Sequence, residues 1–273
     1  MQPEPSYLAT AIEAARIAGA IQRGYFRQPL LIQKKGLIDL VTAADFEVED
    51  AFRRLIAERH PGHTVLGEER NTGNGPSGGR HRWIIDPVDG TTNFAHGLAF
   101  FCVSIALEID GRVELGVVYD PMADELFTAE RGEGARLNGE PLRVSTCRDV
   151  VDSLLCTGFP YSACTDAIVR AELMAVFDEF LGRTRGVRRL GSAALDLCYV
   201  AAGRFDGFWE ADLHAWDMAA GALMIEAAGG VVTRYDGGPY SPFGRQIVAS
   251  NGLLHPELMA ILAPRSVASS GGR

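Results

Sequence analysis

The run Trp83-Ile84-Ile85-Asp86-Pro87-Val88-Asp89-Gly90-Thr91-Thr92-Asn93-Phe94 concentrates the groups most able to do chemistry. An apolar strand is expected to end at Asp86. The chain should then turn at once through Pro87 and Gly90, delivering a second carboxylate, Asp89, and the hydroxyls of Thr91 and Thr92. Two acids this close repel each other unless a cation sits between them. Hard divalent ions such as Mg²⁺ take carboxylate oxygens, water and substrate phosphate as ligands, so the run reads as a metal site at a strand end. Two more acidic groups stand in similar places. Gly67-Glu68-Glu69 follows the apolar Thr64-Val65-Leu66, and Trp216-Asp217 opens a helical stretch that closes at Gly229-Gly230. Strand ends and helix starts are where α/β folds present functional groups. Singly, each has a plainer reading: Glu68-Glu69 as a solvated loop, Asp217 as a partner for a helix dipole, Asp86 with Asp89 as a polar turn.

Positioning these groups takes a mixed set of elements. Apolar residues at helical spacing predict helices over Tyr7 to Phe26 and Ala44 to Arg59, the second stopped by Pro61-Gly62. Two short strands are expected around Lys34-Lys35-Gly36, and strands at Thr64 to Gly67 and Trp83 to Ile85, separated by a loop from Asn71 to Gly79. Phe101 to Ile109 and Val113 to Tyr119 flank Asp110-Gly111, a strong hairpin signal. The second half predicts a strand over Val151 to Gly158, a helix over Asp166 to Leu181 and a strand over Val187 to Leu190. A helix capped by Ser192, a strand over Phe205 to Glu210 and a helix from about His214 to Ala228 follow. Two sheets layered with helices fit this order better than a regular βαβ repeat. A single unit is expected over residues 1–265, in two closely packed halves of about 1–150 and 151–265, with a flexible tail at 266–273.

Bulk properties narrow the class of function. The chain has 273 residues, 47% hydrophobic and 22% charged, enough for a sizeable core. A formal net charge of −9 argues against a broad surface for phosphate backbones, so direct nucleic-acid binding is not expected. Cys102, Cys147, Cys156, Cys164 and Cys198 are odd in number and scattered, which reads as reduced thiols in a cytoplasmic protein. No basic and apolar leader opens the sequence, and its longest apolar run is far shorter than a bilayer span. Competing motifs are weak. Gly73 to Gly78 matches G-x-G-x-x-G, and Gly75 to Gly79 matches G-x-S-x-G, but neither has the required strand before and helix after. His60 and His63 lack a third metal ligand nearby and read as a helix terminus. His96 and His214 read as loop or packing residues. Lys34 and Lys35 read as a solvated hairpin tip.

Taken together, the motifs carry a family resemblance. Gly67-Glu68-Glu69, Asp86-Pro87-x-Asp89-Gly90-Thr91 and Trp216-Asp217-x-Ala219-x-Gly221, with Asp39 to Asp45 and Gly191-Ser192-Ala193-Ala194, resemble the inositol monophosphatase family over almost the whole chain. Val117 to Met122 and Asn138-Gly139 resemble its bacterial SuhB-type members. The resemblance implies an α+β fold, a layered αβαβα sandwich of the inositol monophosphatase and fructose-1,6-bisphosphatase type. It implies two to three Mg²⁺ ions. Glu68, Asp86 and the Val88 carbonyl would hold the first, and Asp86, Asp89 and Asp217 the second, with a third near Glu68. Thr91, supported by Asp45, would orient the attacking water, with Glu68 in the catalytic set. Asp89, Gly90, Thr91, Ala193 and Glu210 would meet the substrate, a small phosphorylated polyol or sugar. Metal ions offset phosphate charge and activate water, so no Cys, His or Ser nucleophile is needed. Inositol 1-phosphate is the expected substrate; relatives on this scaffold act on fructose 1,6-bisphosphate, histidinol phosphate, adenosine 3′,5′-bisphosphate or NADP. The resemblance also implies a homodimer and inhibition by Li⁺. Some SuhB-type members bind the transcription machinery, and Arg183-x-Arg185-x-x-Arg188-Arg189 is a basic stretch that could serve that role or form a charged strand edge.

Overall fold

A computed structural model describes residues 6–28, 32–34, 40–70 and 79–263. Lys35, the Gly73 to Gly78 run and the 266–273 tail lie outside the described residues. Helix α1 (Tyr7–Tyr25) starts at Ser6, whose side chain accepts from the Ala9 amide. It buries Ala11, Ala14, Ala15 and Ala18, the one-sided spacing of an amphipathic helix. Strands β1 (Ile32–Lys34) and β2 (Leu40–Thr42) pair antiparallel. Helix α2 (Ala43–Arg59) opens with a capping box: the Thr42 hydroxyl accepts from Ala44, and the Asp45 carboxylate accepts from the Thr42 amide.

The larger sheet has seven strands in sequence order. Strands β3 (Thr64–Gly67) and β4 (His81–Asp89) are parallel. After the short helix α3 (Thr91–Ala95), β5 (Cys102–Ile109), β6 (Arg112–Asp120), β7 (Glu125–Glu130), β8 (Gly134–Leu137) and β9 (Glu140–Pro141) continue antiparallel. Asp110 and Gly111 both have positive φ, 50° and 81°, as a tight hairpin turn with the twist of its strands requires. The smaller sheet follows β10 (Leu154–Thr157), α4 (Ala167–Leu181), β11 (Gly186–Arg188), α5 (Ala193–Ala201), β12 (Gly207–Ala211), α6 (Ala215–Ala227), β13 (Val231–Thr233) and β14 (Gln246–Ser250), before α7 (His255–Leu262). Its strand order is β11-β10-β12-β14-β13. The strand expected from Val151 begins only at Leu154. Val150–Asp152 is instead a 3₁₀ turn, because the Ser153 hydroxyl donates back to Val150 and the Leu154 amide is taken by Asp206.

Three apolar seams stack the elements into five layers, the sandwich the resemblance implies. Trp83 and Ile85 of β4 face α1 and α2, while Ile84 faces α5 and α6. That alternation is the period of two of a strand buried on both faces. On their far side α5 and α6 meet Phe208, Ile247 and Ala249 of the smaller sheet. Its outer face, with Leu155, Trp209 and Val248, is covered by Val176 and Phe180 of α4 and by α7. Both halves of the chain thus contribute to the central seam.

Candidate active site and metal centre

The expected end of the strand at Asp86 is corrected by the register. β4 runs on to Asp89, with Asp86 opposite Ser104 and Asp89 opposite Cys102. Two residues of β4, Pro87 and Val88, therefore oppose the single Val103, which is a β-bulge. Proline has no amide to give a ladder, so it is tolerated at a bulge. The consequence is chemical. Residues three apart on a regular strand point to opposite faces, but the extra residue returns Asp89 to the face of Asp86, towards α5 and α6. The Val88 amide donates to Asp86 Oδ1 at 3.0 Å and holds the bulge.

Asp217 meets the pair from the first turn of α6. Its Oδ2 accepts from the His214 amide at 2.6 Å, and the Ser104 hydroxyl donates to the Trp216 carbonyl at 3.0 Å, tying that helix start to β5. One carboxylate oxygen each from Asp86, Asp89 and Asp217 lies within 4.8 Å of the others. Asp89 is fixed from the second half of the chain. Its Oδ2 accepts from the Ser192 hydroxyl at 2.5 Å and from the Ala194 amide at 2.7 Å, at the N-terminus of α5.

Glu68 sits in the turn after β3 and lines the same cleft. That turn is held by a residue the acidic motifs did not mark. Glu49 of α2 is fully buried and accepts from the Glu69 amide at 2.8 Å and from Arg53, at 2.8 Å to Nε and 2.6 Å to Nη2. A Cβ on Gly67 would stand 2.4 Å from its carboxylate, so a side chain there would displace the carboxylate from the bonds that hold the turn. Gly90 has φ of 96°, and a side chain would press on the Phe100 and Gly191 carbonyls at 3.0 and 3.2 Å. The Thr91 hydroxyl donates to the Val88 carbonyl at 2.9 Å. Asp45, buried, accepts from the Thr42 hydroxyl at 2.6 Å, and its charge reaches Asp86.

Burial above all raises the Asp86 and Asp217 carboxyls well above their ordinary values, and the surrounding acid charges add to it. Asp89 is pushed up to about 6 by burial, although the Ser192 and Ala194 donors pull the other way. Among the described residues, no Lys or Arg forms a salt bridge with these three. Desolvated, mutually repelling carboxylates without a cationic side chain form a hard-oxygen set that fits a divalent ion.

The cleft above the cluster encloses about 1330 Å³. Val88, Gly90, Thr91, Ala193 and Glu210 line it with the acids, whereas Asp45 is buried and does not. Burial, followed by the Asp217 charge, pushes Glu210 up to about 8. Asp196 also lines the wall and had no signal in the sequence; it is buried, and its Oδ1 has no hydrogen-bond partner. Three histidines stack away from the cleft, and a fourth, His214, lines it. His60, His63 and His81 stack beside Trp83, and His214 stacks on Trp216 at 4.6 Å. In the basic stretch, Arg183 pairs with Glu179 and Arg185 with Asp152 on or beside the edge strand β11.

A family model described as the inositol monophosphatase family matches residues 4–268. The chain belongs to this family. It is 45% identical over 246 residues to Nus factor SuhB of Pasteurella multocida, covering 89% of this chain and 91% of that protein. To an inositol-1-monophosphatase of Mesorhizobium japonicum it is 43% identical over 262 residues, 95% of this chain and 97% of the relative. A crystal structure of the extragenic suppressor protein SuhB from Bartonella henselae superposes with a TM-score of 0.85 at 42% identity, covering 93% of this chain and 96% of that one. The chain is thus a phosphoric monoester hydrolase of the inositol monophosphatase family, acting on a small phosphorylated substrate, with an acidic cluster suited to a metal ion. No helix among the described residues is long and apolar enough to cross a membrane.

Proposed function

We propose that this hydrolase is Mg²⁺-dependent and converts inositol 1-phosphate and water to myo-inositol and phosphate. The observation that carries the reading is the convergence of Asp86, Asp89 and Asp217 oxygens within 4.8 Å, at the foot of a cleft that Glu210 and Ala193 also line. Glu68, Asp86 and the Val88 carbonyl would hold one Mg²⁺, and Asp86, Asp89 and Asp217 a second, with a third near Glu68. When bound, these ions would offset the phosphate charge and lower the pKa of a water placed in line. The chain's own residues do the rest. Thr91, supported by Asp45, would orient the attacking water. The Gly90 and Thr91 amides would meet the phosphate. Asp89, Ala193 and Glu210 would face the ring hydroxyls and set the polyol in the cleft.

The homodimer, Li⁺ inhibition and a cytoplasmic location belong to the same proposal, supported by family membership. The test is phosphate release over a panel of inositol, sugar, amino-alcohol and nucleotide phosphates, with Mg²⁺ varied. Inositol 1-phosphate should exceed the other classes by at least about tenfold in kcat/KM, roughly 1.4 kcal/mol. A flat profile would leave a generalist phosphatase.

A second reading, a partner-binding role beside catalysis, is favoured by the name Nus factor carried by the Pasteurella relative. Exposed Arg188, with Arg189 at the wall of the cleft beside it, would supply such a surface. Capture of transcription proteins by an Asp86→Asn variant that releases no phosphate would separate the two roles.

A further inference from the structure

Glu210 owes its place to an absence on the neighbouring strand. β10 and β12 run parallel with Thr157 opposite Trp209, so the next residues, Gly158 and Glu210, stand side by side where β10 ends at the cleft. The Thr157 hydroxyl donates to the Trp209 carbonyl at 2.7 Å and lies 3.2 Å from the Gly158 carbonyl, locking the two backbones together. A Cβ built on Gly158 would fall 2.1 Å from both carboxylate oxygens of Glu210 and 2.2 Å from the carbon between them. The carboxylate therefore occupies the space of the missing side chain. Gly158 does not have positive φ, so its backbone does not itself demand glycine.

We infer that Gly158 is a specificity-determining residue, seating the Glu210 carboxylate against the cleft wall in the orientation that receives polyol hydroxyls. The inference rests on the reading of Glu210 as a polyol contact. Its physical logic is that the clash falls on the far end of a flexible side chain, so an added methyl moves the carboxylate and leaves the strands in place. Two directions are open to it. One brings it towards Asp196, a second buried acid of the cleft wall whose charge and that of Glu210 already act on each other. The other pushes it out into the cleft, into the volume of the substrate ring. Either displacement weakens recognition of the polyol more than of a phosphate ester without ring hydroxyls.

The experiment is a double-mutant cycle on the full chain with Mg²⁺, using inositol 1-phosphate and p-nitrophenyl phosphate as substrates. Gly158→Ala is expected to lower the ratio of kcat/KM for inositol 1-phosphate over p-nitrophenyl phosphate by about tenfold, chiefly through KM. In a Glu210→Ala background the same Gly158→Ala change should leave that ratio within about twofold, because the side chain it displaces is gone. Equal losses on both substrates, or the same loss in both backgrounds, overturn the seat. A Glu210→Ala variant with unaltered preference would instead overturn the reading of Glu210 as a polyol contact. Should Gly158→Ala fail to fold, the double variant must recover soluble protein; failure to recover also overturns the inference.

Discussion

The Ser192 hydroxyl donates to Asp89 Oδ2 at 2.5 Å, joining the helix start of α5 in the second half of the chain to the bulged end of β4 in the first. The Ala194 amide donates to the same oxygen at 2.7 Å, so the Asp89 carboxylate is held in place by the N-terminus of α5. Partners of this kind orient a metal ligand and tune its basicity. Ser192→Ala should therefore raise the half-saturating Mg²⁺ concentration for phosphate release by about 10- to 100-fold. Loss of the cap on α5 should cost only about 1 kcal/mol in stability. Mg²⁺ titrations of activity beside urea unfolding separate the two effects. An unchanged Mg²⁺ requirement would refute the role of the hydroxyl.

Asp86 sets catalysis against stability. Its buried carboxyl is raised by desolvation and then by the charges of Glu68, Asp89, Asp217 and Asp45. A carboxyl whose folded pKa is raised takes up a proton more readily in the folded state, so its contribution is present at low pH and lost as pH climbs through the folded value. Asp89, raised from 3.8 to about 6, and Glu210, raised from 4.5 to about 8, place that loss between pH about 4 and about 8. Protein stripped of metal by chelation should therefore weaken as pH rises across this window, and Mg²⁺ should restore it. Asp86→Asn should stabilise the metal-free protein by about 1–2 kcal/mol at pH 8 while lowering kcat by about two orders of magnitude or more. Thermal melts with and without chelator read the first effect, and phosphate release reads the second.

Glu49 should matter for Glu68 although it never touches the cleft. Its carboxylate accepts from the Glu69 amide at 2.8 Å and from the Arg70 amide at 3.2 Å, and thereby holds the turn that carries Glu68. Glu49→Ala leaves Arg53 and two amides without their acceptor. Arg53 can turn to solvent, so a cost near the low end for a buried pair, about 3 kcal/mol, is expected. Glu49→Gln keeps the shape and should cost less. Both should raise the Mg²⁺ requirement, and excess Mg²⁺ should recover much of kcat if the fault is Glu68 placement. No recovery would mean that Glu49 acts on the fold alone.

The acidic motifs were legible because carboxylates at strand ends and helix starts are chemically conspicuous, and Asp86, Asp89, Glu68 and Asp217 do line one cleft. The devices that aim them were not. The bulge at Pro87-Val88 depends on pairing with Val103, a long-range register that no local pattern carries. Glu49 lies on the buried side of an amphipathic helix, where a lone acid looks like a break in the apolar stripe. Gly158 and Glu210 lie far apart in the chain and are joined only by the β10–β12 ladder. Ser192 was legible as a helix cap, from its type and place, but its bond to Asp89 spans 103 residues. Helix periodicity and the Asp110-Gly111 turn were readable because their physics is local.

The stacked imidazoles beside Trp83 predict an acid limb of stability opposite in sign to that of the carboxylates. The rings of His63 and His81 lie 4.3 Å apart and nearly parallel, His60 stacks on His63 at 5.1 Å, and Tyr7 packs edge-on to His60. The Trp83 indole donates to His63 Nδ1 at 3.0 Å, which requires a lone pair on that nitrogen. Desolvation, then the charges of His81 and His60, lower His63 from 6.5 to about 4. A histidine with a lowered folded pKa resists protonation in the fold. Its contribution is complete above pH 6.5 and is lost as pH falls towards 4. The ring is partly solvated, so screening reduces the effect to about 1 kcal/mol. His63→Phe keeps an aromatic ring in the stack and removes the titration, at the cost of the indole acceptor. Unfolding free energies from urea titrations at pH 7.5 and pH 4.5 should therefore differ for the unmodified protein by about 1 kcal/mol more, in the acid-weakening direction, than for His63→Phe. Parallel shifts in the two proteins would show that protonation of His63 is not what the stack resists.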